Sequence, residues 1–259
     1  MRIVSKLSVV LSLLVIVLPL RAQTLRVAAA ADLQYAMRDL AIEFERQSGI
    51  KVAASYGSSG NFRSQIQNGA PFDLFFSADA EYPKQLAAGG FADRDTLTVY
   101  AHGHLVLWAS EGEKLDLARK GFAALNDPRV KKIAIANPQL APYGRASVAA
   151  LKQSGFYDAV RAKLIFGENI SQAAQFAQSG SAQVGILARS LTFVESMRTG
   201  EKWEVPANLH PVIEQTAVVV RSSTNKKAAR AFLDFVKSRE GQQILTKYGF
   251  SLDPGVANR

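Results

Sequence analysis

Residues 25–88 read LRVAAAADLQYAMRDLAIEFERQSGIKVAASYGSSGNFRSQIQNGAPFDLFFSADAEYPKQLAA. Three apolar runs alternate in this segment with three stretches whose apolar residues recur at helical spacing. The apolar runs predict strands at residues 25–30, 51–56 and 73–78. A β-α-β-α-β-α order favours a parallel sheet covered by helices, with right-handed crossovers and ligands bound at the carboxyl ends of the strands.

The remainder of the chain continues the alternation, so we predict a second α/β unit. Strand-like runs occur at residues 104–109, 132–136, 164–166, 184–187 and 217–221, with helix-like stretches at 146–153, 172–178 and 190–197. A long amphipathic stretch at 228–248 follows, and Gly241 marks the point at which this last helix would break. The pattern predicts an α/β protein of two lobes.

The first 22 residues have the layout of a secretory signal peptide. Arg2 and Lys6 precede an apolar stretch at 7–20, and Ala22 ends the segment. The apolar stretch is shorter than the roughly 20 residues that span a bilayer. We therefore expect cleavage before Gln23, release into a bacterial periplasm, and no membrane insertion after the leader is removed.

Composition excludes several classes of function. The 259 residues contain no cysteine, which excludes disulfides, thiolate metal sites, cysteine nucleophiles and a lipid-bearing cysteine. The formal charge of +9 falls to +6 when Arg2, Lys6 and Arg21 leave with the leader. Because the remaining lysines and arginines are scattered, we do not expect a nucleic-acid partner.

Four short polar stretches each lie between a strand-like run and a helix-like run. They are centred on Asp32, Ser58 and Ser59, Tyr143, and Ile170. Helix starts expose backbone N–H groups and the positive end of the helix dipole. If the four starts converge, they form an anion site without lysine or arginine, and the chain is predicted to bind an oxyanion.

Five segments carry a family resemblance that covers essentially the whole mature chain. They are LRVAAAADLQYAM at 25–37, SYGSSGNFRSQI at 55–66, GAPFDLFFSAD at 69–79, ANPQLAPYGRA at 136–146 and AFLDFVKSREGQQILTKYGF at 231–250. In this order they closely resemble the periplasmic molybdate-binding proteins of ABC importers.

The resemblance implies an α/β, two-lobe periplasmic binding protein of type II. Each lobe would be a mainly parallel sheet flanked by helices, and two hinge strands would join the lobes. We place lobe 1 at 23–102 and 219–259, and lobe 2 at 103–218. The implied function is capture of molybdate, or tungstate, by a monomeric receptor that delivers the ion to a permease and its ATPase. Neither a cofactor nor a catalytic activity is implied.

The resemblance also implies the ligand-binding residues. Asp32 takes the place of a Ser, Thr or Asn in the family's first loop, and Ser59, beside Ser58, takes the place of a serine in the second. Tyr143 corresponds to a residue that offers a backbone N–H or a hydroxyl, and Ile170 to a backbone N–H donor. Where some members have a further tyrosine, this chain has Ala188, and Tyr143 is expected to replace that hydroxyl.

Asp32 is an unfavourable neighbour for an anion. A carboxylate about 4 Å from a dianion is repelled by roughly 8 kcal/mol at an effective dielectric constant of 20. Aspartate is a good N-cap residue. We therefore predict that Asp32 caps the first helix and that its carboxyl group is turned away or protonated.

Two alternatives remain open at this point. The first is a receptor for sulfate, phosphate or another tetrahedral oxyanion, with Asp32 as acceptor for a phosphate proton. The second is a secreted phosphate-ester hydrolase with Ser59 as nucleophile or Asp32 as base, although a strong nucleophile elbow and a metal-binding cluster are missing from the sequence. Arg145, next to the third polar stretch, is expected to be exposed to solvent.

Overall fold

The computed structural model describes residues Thr24–Leu252, and the predicted leader at 1–22 lies outside the described residues. The strands are β1 Thr24–Ala30, β2 Lys51–Gly57, β3 Leu74–Ser77, β4 Thr98–Gly103, β5 Leu105–Ala109, β6 Ile133–Ala136, β7 Leu164–Gly167, β8 Val184–Ala188, β9 Glu201–Glu204 and β10 Ile213–Val219. The helices are α1 Gln34–Ser48, α2 Ser59–Gln67, α3 Glu81–Ala88, α4 Leu117–Lys120, α5 Pro142–Gln153, α6 Tyr157–Val160, α7 Ile170–Gln178, α8 Glu195–Arg198, α9 Lys226–Lys237 and α10 Arg239–Lys247. Within Thr24–Leu252, each helix is too short or too polar to cross a membrane.

The strands form two five-stranded sheets, one in each lobe. The first sheet has the order β2-β1-β3-β10-β4, and the second has the order β7-β6-β8-β5-β9. In the first sheet β1 is parallel to β2 and β3, while β10 is antiparallel to β3 and β4. In the second sheet β6 is parallel to β7 and β8, while β5 is antiparallel to β8 and β9. The predicted two-lobe α/β architecture is confirmed.

The central strands β1 and β3 of the first sheet are covered on both faces, which explains why they are almost continuously apolar. Leu74 and Phe76 pack on the side of α1, α9 and α10, where Phe232 lies at the centre of the core. Phe75, between them in sequence, points to the opposite side and packs with Phe62 of α2. Alternate residues of one strand therefore pack into the cores on the two faces of the sheet, because successive side chains of a strand point to opposite faces.

The chain crosses twice between the sheets. Only His104 separates β4 from β5, and residues 205–212 connect β9 to β10. Because β10 already pairs with β3 and β4 from Ile213 onward, the second crossing lies before the predicted boundary at 219. We therefore propose that lobe 1 resumes at Ile213.

Several predicted elements differ in their limits. The final helix breaks at Ser238, whose backbone is extended and whose hydroxyl caps α10, rather than at Gly241. The predicted helix at 190–197 is a 3₁₀ segment at Arg189–Phe193 followed by the short α8. Strands β4 and β9 were missed, since neither shows a continuous apolar run.

Gly241 is needed for close packing between the last two helices. A β-carbon at this position would lie 2.3 Å from the Phe235 carbonyl oxygen. We expect Gly241→Ala to destabilise the protein by about 1 to 3 kcal/mol through overpacking, measured by urea unfolding. Gly112→Ala is the matched control, because a β-carbon there meets its nearest atom only at 4.0 Å. Equal stability of the two variants would contradict this packing argument.

Candidate functional site

The four predicted helix starts meet at one small cavity between the lobes. The space between the protein atoms there is about 190 Å³, of which about 10 Å³ can hold the centre of a water-sized molecule, so the closed cavity is tight. It lies beyond the carboxyl ends of β1, β2 and β3 in one lobe, and of β6 and β7 in the other. Its lining residues are Ala30, Ala31, Asp32, Gly57, Ser58, Ser59, Ala78, Ala141, Pro142, Tyr143 and Ile170. All five predicted site residues are among them.

Ser58 and Ser59 are both buried but have different roles in the structure. Ser58 is the N-cap of α2, and its hydroxyl accepts a hydrogen bond from Asn61 N at 3.4 Å. The Ser59 hydroxyl accepts from Ala78 N at 3.1 Å. A hydroxyl that accepts one hydrogen bond still has its own hydrogen to donate. Ser59 can therefore donate to an anion in the cavity.

The start of α5 presents Tyr143 to the cavity. Pro142 occupies the first helical turn and has no N–H, so the first backbone donor of this helix is Tyr143 N. The Tyr143 side chain is buried, and its hydroxyl accepts from Gln215 Nε2 at 3.3 Å. The hydroxyl approaches β4 so closely that a β-carbon at Gly103 would lie 2.1 Å from it. Some family members have a tyrosine at the position of Ala188. That the Tyr143 hydroxyl takes the place of that tyrosine's hydroxyl stays a prediction.

The start of α7 leaves a backbone donor for a ligand. Asn169 is the N-cap, and its side-chain oxygen accepts from Ser171 N at 3.0 Å and from Gln172 N at 3.1 Å. This capping satisfies the second and third N–H groups of the helix, while Ile170 N remains at the cavity. Asn169 was not predicted, although an asparagine directly before an apolar helical run is a recognisable capping signal.

Asp32 does not cap α1, so that prediction is wrong. It lies inside a 3₁₀ turn at Ala31–Leu33, and among residues 24–252 its side chain has no capping hydrogen bond. Its Oδ2 accepts from Gln215 Nε2 at 2.8 Å, and Gln215 Oε1 in turn accepts from the Tyr100 hydroxyl at 3.0 Å. Its Oδ1 is buried and has no hydrogen-bond partner in the described part of the chain.

Burial changes the ionisation of Asp32. Loss of hydration raises the pKa of its carboxyl group from 3.8 to about 7, although the Tyr143 hydroxyl and Gln215 stabilise the carboxylate and oppose the rise. Burial and the nearby Asp32 also hold the pKa of Tyr143 and of Tyr100 well above 10. The side chain of Asp32 is thus readily protonated near neutral pH, which is one of the two states predicted for its carboxyl group from the sequence.

The lobes touch around the rim of the cavity. Arg145 of lobe 2 forms an ion pair with Asp79 of lobe 1 and donates to the Tyr82 hydroxyl at 2.9 Å. Arg145 is therefore partly exposed, in line with the expectation, but it is also paired across the cleft. Gly60 N donates to the carbonyl of Leu140 at 2.9 Å across the same cleft. A second side-chain contact joins Asn61 Nδ2 to Glu168 Oε1 at 3.0 Å.

Gln215 is the second residue that the sequence analysis missed. It lies 183 positions from Asp32 and is completely buried in β10. The sequence carries little signal, because Gln215 lies between Glu214 and Thr216 in IEQTAVV, ahead of the apolar end of the strand. A buried amide needs hydrogen-bond partners, but the sequence does not identify them.

Comparison with known proteins relates the chain to bacterial transport receptors. A family model described as bacterial extracellular solute-binding protein matches residues 25–251. The molybdate-binding protein ModA of Azotobacter vinelandii is 37% identical over 233 residues, which cover 90% of this chain and 91% of that protein. ModA of Rhodobacter capsulatus is also 37% identical, covering 90% of each chain.

Solved structures show the same relationship. The periplasmic molybdate-binding protein of Azotobacter vinelandii superposes with a TM-score of 0.83 and 34% identity, covering 88% of this chain and 99% of that one. The substrate binding domain of a putative molybdenum ABC transporter from Clostridium difficile has a TM-score of 0.68 and 29% identity. It covers 89% of this chain and 99% of that one.

The raised pKa of Asp32 predicts a pH-dependent stability. Between pH 3.8 and about 7 the folded protein binds a proton at Asp32 that the unfolded chain has released. Because this proton binding favours the folded state, its contribution to the free energy of unfolding is lost as pH rises through about 7. From pH 5 to pH 8 the loss is on the order of 3 kcal/mol. Asp32→Asn should remove this loss in urea unfolding of the ligand-free protein, and the exposed control Asp158→Asn should keep it. The same pH slope in wild type and Asp32→Asn would refute the assignment.

Proposed function

The chain belongs to the bacterial extracellular solute-binding proteins, and from this premise we propose that it is the molybdate receptor of an ABC importer. Tungstate, which has the same shape and charge as molybdate, is expected to bind as well. Two relatives at 37% identity over 90% of the chain are molybdate-binding proteins, and the structure of one of them superposes at a TM-score of 0.83. These relatives are binding proteins, and we propose that this chain likewise performs no covalent step.

The single observation that carries the proposal is the convergence of uncharged donors on the 190 Å³ cavity. Ser59 supplies a hydroxyl from lobe 1, while Tyr143 N and Ile170 N supply backbone donors from lobe 2. The dipoles of α2, α5 and α7 place partial positive charge at the same point. Each donor would bind an oxygen of the ion, and the molybdenum atom would have no protein ligand.

Neutral donors suit a receptor that must release its ion. A hydroxyl or a backbone N–H stabilises an anion without a counter-charge, so opening the cleft separates the donors and weakens the site. Because the donors come from both lobes, the ion stabilises the closed arrangement more than the open one. We propose a hinge movement at the two crossings, His104 and residues 205–212.

The cellular setting follows from the same premise. We propose that the protein acts in the periplasm after removal of residues 1–22, as a monomer without a cofactor. Its partners would be a permease and an ATPase, as for the putative molybdenum ABC transporter whose substrate binding domain it resembles. The closed lobes would present their joint surface to the permease.

Calorimetry with several anions tests the ligand. We expect molybdate and tungstate to bind tightly at neutral pH, and sulfate and phosphate to bind weakly or not at all at the same salt concentration. If sulfate or phosphate binds more tightly than molybdate, that anion is the ligand instead. Turnover of a generic phosphate ester, lost in Ser59→Ala, would instead favour the hydrolase.

A substitution tests the proposed donor from lobe 1. Ser59→Ala removes the hydroxyl and leaves an oxygen of the ion unpaired, so molybdate binding should weaken by roughly 1 to 3 kcal/mol in the same calorimetric assay. Ser64→Ala, on the exposed side of α2, is the matched control and should bind like wild type. If Ser59→Ala binds molybdate as tightly as the control, the serine has no part in the site.

A further inference from the structure

We propose that Asp32 binds the oxyanion as a protonated carboxylic acid, donating a hydrogen bond from Oδ1, so that capture of the ion is coupled to uptake of one proton. This inference rests on the proposed function, because it assigns a role to one residue of that same site. The carboxyl group of Asp32 lines the anion site, where its ionised form would repel the ligand.

The hydrogen bonds around Asp32 determine which oxygen can carry the proton. The Tyr100 hydroxyl donates to Gln215 Oε1 at 3.0 Å, which turns the NH₂ group of Gln215 toward Asp32. That NH₂ group donates to Asp32 Oδ2 at 2.8 Å. An NH₂ group has no lone pair to accept a carboxylic proton, so Oδ2 acts as an acceptor. The proton therefore belongs on Oδ1.

Oδ1 is the oxygen available to the cavity. Asp32 is 1% exposed and lines the cavity, whereas Gln215, on the Oδ2 side, is not a lining residue. By hydrogen-bond geometry Oδ1 has no partner among residues 24–252, although the Tyr143 hydroxyl lies close enough to the carboxyl group to stabilise its ionised form. A buried oxygen without a partner costs free energy. Protonation turns this oxygen into a donor, and an anion oxygen in the cavity is the acceptor that it lacks.

The groups that surround Asp32 stay neutral or are paired elsewhere. Tyr100 of β4 and Tyr143 of α5 have pKa values held well above 10, so both remain hydroxyls at neutral pH. The 3₁₀ segment Arg189–Phe193 packs on the Asp32 turn; there Ser190 Oγ donates to the Asp32 carbonyl at 2.8 Å, and the Arg189 guanidinium pairs with Glu204. The nearby ends of β2 and α7, at Gly57 and Ile170, carry no charge.

The environment of Asp32 makes proton uptake by its carboxyl group feasible at physiological pH. Burial raises the pKa of Asp32 to about 7, so close to half of the ligand-free protein carries the proton at that pH. A dianion in the cavity would raise this pKa further, because it disfavours a second negative charge nearby. A carboxylic acid kept neutral by an apolar site is an effective hydrogen-bond donor.

The protonated form also favours one chemical class of ligand. Molybdate, tungstate and sulfate carry no proton at neutral pH and need only donors. Hydrogen phosphate carries a proton and needs one acceptor, which an ionised Asp32 would supply. A protonated Asp32 therefore favours fully deprotonated tetrahedral dianions over hydrogen phosphate.

Calorimetry of wild type with micromolar molybdate from pH 6 to pH 9, in pairs of buffers with different ionisation enthalpies, tests the coupling. We expect uptake of about half a proton per ion at pH 7 and nearly one at pH 9. Since only the protonated fraction binds, the apparent affinity should fall about 90-fold from pH 6 to pH 9. Sulfate, a dianion throughout this range, is the second probe and should give the same proton number if its binding is measurable.

Substitutions test whether the proton that is taken up binds to Asp32. Asp32→Asn presents a permanent NH₂ donor, so proton uptake and the pH dependence of affinity should both disappear. Asp158→Asn, exposed on the surface, should keep both. Proton uptake that persists in Asp32→Asn would overturn the assignment. If Asp32→Asn does not fold, the wild type still decides: addition of molybdate at pH 8 should produce the infrared carbonyl band of a protonated carboxylic acid, and absence of this band would overturn the proposal.

Other outcomes separate this inference from the proposed function. Tight molybdate binding without proton uptake would leave the receptor function intact and refute the role of Asp32. Preference for phosphate, with affinity that rises as Asp32 ionises, would show that Asp32 is an acceptor. Failure to bind molybdate and tungstate at every pH would refute the function itself.

Discussion

The unpaired backbone N–H groups at the starts of the helices are the constraint on which the site depends. Every helix has such groups, and they must find partners in side chains, water or a ligand. Here α2, α5 and α7 begin at the carboxyl ends of parallel strands, and the two sheets bring these ends to face one another. Caps from Ser58 and Asn169 satisfy part of the starts of α2 and α7, while the remaining donors of the three helix starts border the cavity. An anion is the natural partner for such donors.

Asp32 connects this cavity to the strands that lead into both crossings. Gln215 lies near the start of β10, and Tyr100 lies in β4, three residues before its end. Both belong to the first sheet, whereas Tyr143 approaches the same carboxyl group from lobe 2. In the proposed hinge movement, closure of the lobes would bury the carboxyl group of Asp32 against Tyr143. Lobe closure, ion binding and protonation of Asp32 are expected to depend on one another because they share these contacts.

The contacts at the rim differ in kind from those at the cavity. The ion pair of Arg145 with Asp79 is partly exposed, and burial raises the pKa of Asp79 while Arg145 opposes the rise. Partly exposed ion pairs contribute little to stability, typically about 1 kcal/mol or less. Their directional hydrogen bonds instead define how the lobes meet. The free energy that distinguishes the closed, loaded receptor is then expected to come from the buried donors around the ion.

Local sequence determined the elements of this protein, and tertiary structure decided how its site is completed. The apolar runs and helical spacing of residues 25–88 were sufficient to predict β1 to β3 and α1 to α3, because periodicity and capping depend on neighbours along the chain. The convergence of Asp32, Ser58, Ser59, Tyr143 and Ile170 also followed from the strand-helix order and the family resemblance. The break at Ser238 was not predicted although its serine cap is a local signal, whereas the early return of β10 was not predicted because it depends on pairing with the distant strand β3. The partner of Asp32 is 183 positions away, so the protonation of this carboxyl group depends on burial and hydrogen bonds that exist only after the chain has folded.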